Sequence, residues 1–336
     1  MKADAPGASE RPPLLAVEEL RVRFEHDRRL VPAVDGLSYR LERGRTLAII
    51  GESGSGKTVS CRALLGLLPP TATLSGSVRL NGKELLGLSE PELRRHRGAD
   101  ISIVFQDPAR SLNPTMRVGQ QITEALRQHT PLDHAAARTR AVELLDLLRV
   151  PAAGHRFLSY PHELSGGMCQ RVMIAIALAG QPEVLIADEA TRSLDSITQA
   201  DTLDLLKEMQ QEFGMALIVV SHDLRLAFSC ADHVLVMYAG RAVEYASSKE
   251  LLRAPRMRYT QALLEAIPGF NARSGRFPVT PGHPPDLASL PEGCAFEPRC
   301  SSAHSICKKV RPPLEEQRRD HWCACWYPRI EPGALS

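Results

Sequence analysis

The stretch Gly51-Glu52-Ser53-Gly54-Ser55-Gly56-Lys57-Thr58 constrains this chain more than any other. It fits the pattern G-x-x-x-x-G-K-[ST] of a phosphate-binding loop, and its setting fits as well as its letters. The apolar run 45–50 before it suits a buried strand. Residues 58–68 after it space their leucines as an inward-facing helix does. Strand, glycine-rich loop and helix N-terminus together form a cradle of backbone N–H groups for an anion. In such a loop Lys57 reaches the β- and γ-phosphates, and the Thr58 hydroxyl serves Mg²⁺. The chain is expected to be an α/β protein that binds a nucleoside triphosphate.

The 336 residues suit one large domain or two modest ones. Lys+Arg 41 against Asp+Glu 39 leaves almost no net charge, which argues against a protein that coats nucleic acid. Residues 1–13 are polar and proline-bearing, so they read as a disordered tail and not as a secretory leader. No apolar run approaches the ~20 residues needed to span a bilayer. Alternating apolar and polar residues between Leu14 and Leu41 predict antiparallel strands ahead of the loop. Phe24 lies among them, either as an aromatic that stacks on a nucleotide base or as a half-buried strand residue. A hairpin turning on Asn81-Gly82 follows.

Residues 101–106 read as a strand ending at Gln106, whose carboxamide could hold Mg²⁺ or an attacking water. The two prolines in 107–114 predict irregular chain, and helical spacing over 118–150 predicts a helical insertion, about 107–180 in all. Ser165 is a good N-cap for the helix that follows, and Gly166 and Gly167 leave N–H groups free at its positive end. That makes a second anion site. Two anion sites with one phosphate loop suggest a nucleotide shared between two chains. Residues 183–189 form a buried strand ending in Asp188, placed to hold Mg²⁺ through water, and Glu189, placed to polarise the attacking water. Ser193-Leu194-Asp195 reads as a turn. Another apolar run, 216–220, leads to His222 at the carboxyl end of a strand, where ligands collect in open α/β sheets.

In this order the motifs resemble those of ABC-transporter ATPase subunits, and the likeness covers about 14–250. Phe105-Gln-Asp-Pro-Ala-Arg-Ser-Leu-Asn-Pro114, Tyr160-Pro-His-Glu-Leu-Ser-Gly-Gly-Met168, 258–268 and 293–300 are similar to stretches of the oligopeptide/dipeptide importer branch. The resemblance implies an ABC ATPase core over 14–267, with an antiparallel β subdomain and a helical subdomain. It implies that residues 51–58 cradle ATP, that Phe24 stacks on the base, and that Thr58, Gln106 and Asp188 serve Mg²⁺. Glu189 would be the catalytic carboxylate, His222 the γ-phosphate contact, and Lys57 and Gln106 would assist. Ser165, Gly166, Gly167 and Met168 would close on the partner's ATP, with Ser193, Leu194 and Asp195 beside them. Implied partners are a second, related but unlike ATPase subunit, two membrane permeases and an external solute-binding protein. The expected location is the cytoplasmic face of the cell membrane. Alternatives are an importer for nickel or another small solute, or a soluble ABC ATPase acting on nucleic acid or ribosomes. Two departures touch the dimer-facing parts: Cys169 in the signature, and Ala190-Thr191-Arg192 after Glu189.

The tail differs in composition. Residues 268–293 are proline-dense and read as a semi-rigid linker lying outside the core. Residues 294–336 form a small cysteine-rich extension in which Cys294, Cys300, Cys307 and Cys325 are separated by 5, 6 and 17 residues, with Cys323 besides. The spacing lacks the paired C-x-x-C knuckles of structural zinc, although His304 and His321 lie near enough in sequence to keep zinc open. Some members of the importer branch carry an iron–sulfur cluster here. By that resemblance Cys294, Cys300, Cys307 and Cys325 would hold a 4Fe-4S cluster, with zinc as the alternative.

Overall fold

In a computed structural model the chain is described over residues 12–26, 29–190, 196–267 and 280–329. In chain order its strands are β1 (Leu15–His26), β2 (Arg29–Leu41), β3 (Thr46–Ile50), β4 (Ala72–Leu80), β5 (Lys83–Glu84) and β6 (Ile101–Val104). Then come β7 (Val184–Asp188), β8 (Ala216–Val220), β9 (His233–Tyr238), β10 (Arg241–Ser247), β11 (Glu315–Arg318) and β12 (His321–Cys323). The fold is mixed α/β. Its contacts divide the chain into two units. The first comprises Met1–Glu42, Thr46–Gly87 and Ser221–Ser336, and the second Arg43–Arg45 and Leu88–Val220.

The first unit contains an antiparallel sheet in the order β2-β1-β4-β5. The hairpin between β4 and β5 turns on Asn81 and Gly82, both at positive φ, as the Asn-Gly pair predicts. The same unit carries the run β11-β12-β10-β9-β3, in which only β3 and β9 are parallel. Strand β3 is buried along its whole length, which suits its continuous apolar sequence. Asp35 fastens the two layers of this unit: it accepts from Arg241 on β10 at 2.6 Å and from Arg311 in the C-terminal segment at 3.3 Å.

The C-terminal segment is part of this unit, not an appendage. Strand β12 pairs with β10 through Glu244↔Cys323 and Tyr245↔Trp322. Leu287 and Leu290 pack against the cluster built on Tyr238, Met257, Tyr259 and Phe296. Residues 280–293 therefore lie on the core, where the prolines had suggested a strut held off it. Residues 268–279 of that linker fall outside the described residues, as do 1–11 of the tail.

The second unit holds the parallel strands β8-β7-β6 and the helices between β6 and β7. Where 107–114 was expected to be irregular, residues Pro108–Ser111 form a short helix. Pro108 sits at its first turn, where a missing N–H costs nothing, and the Asp107 carboxylate accepts from Arg110 N. The long helical run resolves into two helices, Val118–His129 and His134–Leu147, parted at Pro131 and restarted by an Asp133 cap. The helix expected behind a Ser165 cap spans Gly166–Leu178.

Candidate functional site

In the first unit the phosphate loop leaves the end of β3 and runs into the helix Lys57–Leu64. Gly56 takes φ +97 at the helix N-cap, and a Cβ there would lie 2.4 Å from the Ala33 carbonyl oxygen. Gly51, at φ +149, would put a Cβ 2.2 Å from the Met237 oxygen. Neither position can carry a side chain, so the two glycines fix where the loop can run. Lys57 is buried and folds back over the loop, donating to Gly51 O at 2.8 Å and Glu52 O at 2.9 Å. Ser53 and Gly54 at the loop tip are exposed, Ser55 is buried and Thr58 half-buried. Phe24 stands half-exposed on β1, paired across to Val31 and Ala72. His222 is exposed, ahead of the helix Leu224–Cys230 that Asp223 caps.

In the second unit the register Val104↔Ala187 brings Gln106 and Asp188 to the carboxyl ends of adjoining strands. Asp188 closes β7 and is 1% exposed, whereas Gln106 is exposed. Glu189 follows at φ +49, a left-handed conformation that a glutamate adopts only when its surroundings hold it. Its N–H donates to Val220 O at 3.0 Å, which turns the backbone sharply off the strand end. Such strained positions cluster at functional sites. Ser165 caps the helix Gly166–Leu178, accepting from Met168 N at 3.3 Å. Ser165 and Gly166 are exposed and Gly167 half-exposed, so this helix N-terminus opens to solvent. Cys169, the odd residue of the signature, is buried and donates to Pro161 O at 3.4 Å; burial pushes its thiol up. It sits inward, away from the exposed cap. Ser193, Leu194 and Asp195, with Thr191 and Arg192, lie outside the described residues.

The cysteines of the extension separate into two groups. Cys294, Cys300, Cys307 and Cys325 line one small cavity of about 20 Å³, along with Arg258, Phe296 and Tyr327. Cys323, on β12, is buried and does not line that cavity. Burial, helped by the neighbouring thiolates, pushes the Cys294 thiol up to about 11, and burial raises Cys300 and Cys325 in the same direction. No group of three or more His, Cys, Asp or Glu side chains stands ready to hold a metal ion among the described residues. The iron–sulfur and zinc expectations are thus not met as a formed ligand set. His321, kept as a possible zinc ligand, is instead committed to Glu244 at 2.7 Å.

Three side chains near the loop were missed from the sequence. Arg299 holds the Glu52 carboxylate, Tyr259 accepts from the Glu52 N–H, and Glu244 anchors the segment that carries Tyr259. No local pattern marks them.

Residues 34–192 match the ABC transporter family, and 243–307 match the C-terminal region of oligopeptide/dipeptide transporters. The chain is 46% identical over 315 residues to the oligopeptide transport ATP-binding protein OppD of Escherichia coli, covering 94% of this chain and 93% of that one. It is 41% identical over 327 residues to the dipeptide transport ATP-binding protein DppD of Bacillus subtilis, covering 96% and 98%. Among solved structures it resembles a dimeric ATP-binding cassette in a post-hydrolysis state with ADP and Pi. There the TM-score is 0.63 at 26% identity, over 70% of this chain and 98% of that one. A phosphate loop shaped by Gly51 and Gly56, a strand ending in Asp188-Glu189 and matches that run nearly the length of the chain lead to one conclusion: it belongs to the ATP-binding subunits of ABC transporters, in the oligopeptide/dipeptide branch.

Proposed function

We propose that this chain binds and hydrolyses ATP to power uptake of oligopeptides or dipeptides through partner permeases. The observation that carries the reading is the formed phosphate loop with Lys57 buried over it, in a chain close in sequence to a peptide-transport ATPase over 94% of its length. Lys57 would exchange its two loop carbonyls for the β- and γ-phosphates. Thr58, Gln106 and Asp188 offer a hydroxyl, a carboxamide and a carboxylate, a hard-oxygen set suited to Mg²⁺, which when bound offsets charge on the phosphates. Glu189 would take a proton from the attacking water, and His222 would contact the γ-phosphate. Phe24 would stack on the base.

Ser165, Gly166, Gly167 and Met168 would act on the nucleotide of a second ATPase subunit, with Ser193, Leu194 and Asp195 alongside; their exposed cap supports that role. That second subunit is inferred to be related but unlike. A groove of about 710 Å³ on the second unit supports docking of a permease. It is lined by Met116, Glu124, Arg127, Phe157 and the exposed Leu158. No described helix is long and apolar enough to cross a membrane, so the permeases would supply the path and hold the subunit at the cytoplasmic face. An external binding protein would choose the peptide.

The test is reconstitution with permeases and binding protein in vesicles. ATP-dependent accumulation of labelled peptide, with ATPase activity stimulated by peptide, is expected. ATPase activity indifferent to peptide would overturn the peptide assignment.

Cys294, Cys300, Cys307 and Cys325 would hold a 4Fe-4S cluster. Four half-buried thiols around one cavity are a donor set that a cationic cluster core would suit, and burial, with the other three, pushes the Cys294 thiol up. Anaerobically prepared protein is expected to contain iron and acid-labile sulfide, and Cys300→Ser to lose both. Stoichiometric zinc, or no metal, would refute it.

A further inference from the structure

Glu52 is the one acidic residue of a loop that must receive a polyanion, and it is held at every polar group. Its N–H donates to Tyr259 Oη at 2.9 Å, and its carbonyl accepts from Lys57 at 2.9 Å. Its carboxylate receives both terminal nitrogens of Arg299, at 2.7 and 2.9 Å. Arg299 lies 247 residues further on, inside the C-terminal extension, and its side chain is 7% exposed. The guanidinium is fixed in turn: Nε donates to Pro281 O at 3.0 Å and Nη1 to Tyr238 Oη at 3.2 Å. Its Cζ lies 5.9 Å from the ring centres of both Tyr238 and Phe296. Those rings and Tyr259 pack on one another, with centroids 4.5 to 5.5 Å apart. The fork-to-carboxylate contact raises the guanidinium pKa further, so its charge is constant at any working pH.

We propose that Arg299 is a positioning residue of the nucleotide site. It neutralises Glu52 and, with Tyr259, sets the backbone at the start of the phosphate loop, so that the extension completes the ATP-binding surface. The proposal rests on the reading that this loop holds ATP. Two physical effects are separable. A free carboxylate at position 52 would repel the incoming triphosphate, and an untethered Glu52 would let the loop's first peptides rotate away from the curve that aims their N–H groups. A lysine could supply the charge but not the paired hydrogen bonds.

Binding of a fluorescent ATP analogue to the full-length chain, together with kcat and KM, is measured for wild type, Arg299→Met, Glu52→Gln/Arg299→Met and Lys57→Ala. Arg299→Met is expected to weaken nucleotide affinity by about 10-fold or more, with the loss in KM and little change in kcat. Adding Glu52→Gln should recover most of that affinity, because the unneutralised carboxylate is then gone. A purely structural role for Arg299 would lower thermal stability and would not be rescued at position 52. Wild-type affinity in Arg299→Met, or no recovery in the double variant, overturns the proposal. Should Arg299→Met fail to fold, Arg299→Lys carries the test: about threefold weaker binding is expected from loss of the fork, and unchanged binding overturns it. Failure of wild type itself to bind, or equal binding by Lys57→Ala, would sink the ATP reading and this proposal with it.

Discussion

Glu189→Gln is expected to bind ATP within about threefold of wild type while its turnover falls by about 10²–10⁴-fold, the usual contribution of a positioned general base. The reason is local. Glu189 leaves β7 at φ +49 with its N–H tied to Val220, so the side chain's starting point is set by backbone that glutamine can also adopt. The substitution removes the proposed proton acceptor and leaves Lys57 and the loop glycines untouched. Single-turnover hydrolysis and equilibrium nucleotide binding separate the two effects. Near-normal turnover would move the catalytic base elsewhere, and loss of binding would make Glu189 part of the nucleotide pocket. Mixed with its proposed second ATPase subunit, the variant should also collect in an ATP-bound, paired state, visible as a larger species in size-exclusion chromatography with ATP present.

A second large effect is expected at Glu244, which the catalytic reading does not use. Its carboxylate is wholly buried on β10 and accepts from Arg256 N at 2.6 Å, Met257 N at 3.1 Å and His321 Nε2 at 2.7 Å. Glu244→Ala leaves two backbone donors and a buried imidazole with no acceptor. The expected cost is about 3–5 kcal/mol, or roughly 10 °C in Tm. Met257 precedes the helix Arg258–Glu265 that carries Tyr259, so the damage should reach the phosphate loop as weaker ATP binding. Glu244→Gln keeps one acceptor oxygen and should fall between the two. Thermal denaturation of the three proteins checks the order. A change below about 1 kcal/mol in Glu244→Ala would mean that water replaces the carboxylate without difficulty.

What the sequence revealed followed range. The phosphate loop, the Asn81-Gly82 hairpin and the Ser165 cap are each specified within ten residues, so the letters carry the geometry. Two errors came from treating proline as a breaker only: Pro108 starts a helix, and the proline-dense stretch before Cys294 still presents Leu287 and Leu290 to the core. Strands β11 and β12 were invisible for another reason. Glu315–Arg318 has no apolar alternation, and His321–Cys323 is too short to show one, so both exist because β10 offers them an edge. Arg299 and Glu244 were unreadable because their partners lie 247 and 77 residues away. Among the cysteines, the four that the family resemblance grouped line one cavity, and Cys323 is not in its lining.

The pairing of β12 with β10 sets an order on how this protein is made. During synthesis β10 emerges with β9 along one side and nothing along the other, because residues 321–323 are nearly eighty positions behind it. Until they leave the ribosome, Glu244 has no imidazole to meet, and an apolar strand edge faces the cytosol as a template for other chains. The N-terminal layers can close early, since β1, β2 and β4 are near neighbours in sequence. The last strand cannot. A chain released before Trp322 is therefore expected to aggregate even though every residue of its phosphate loop is present.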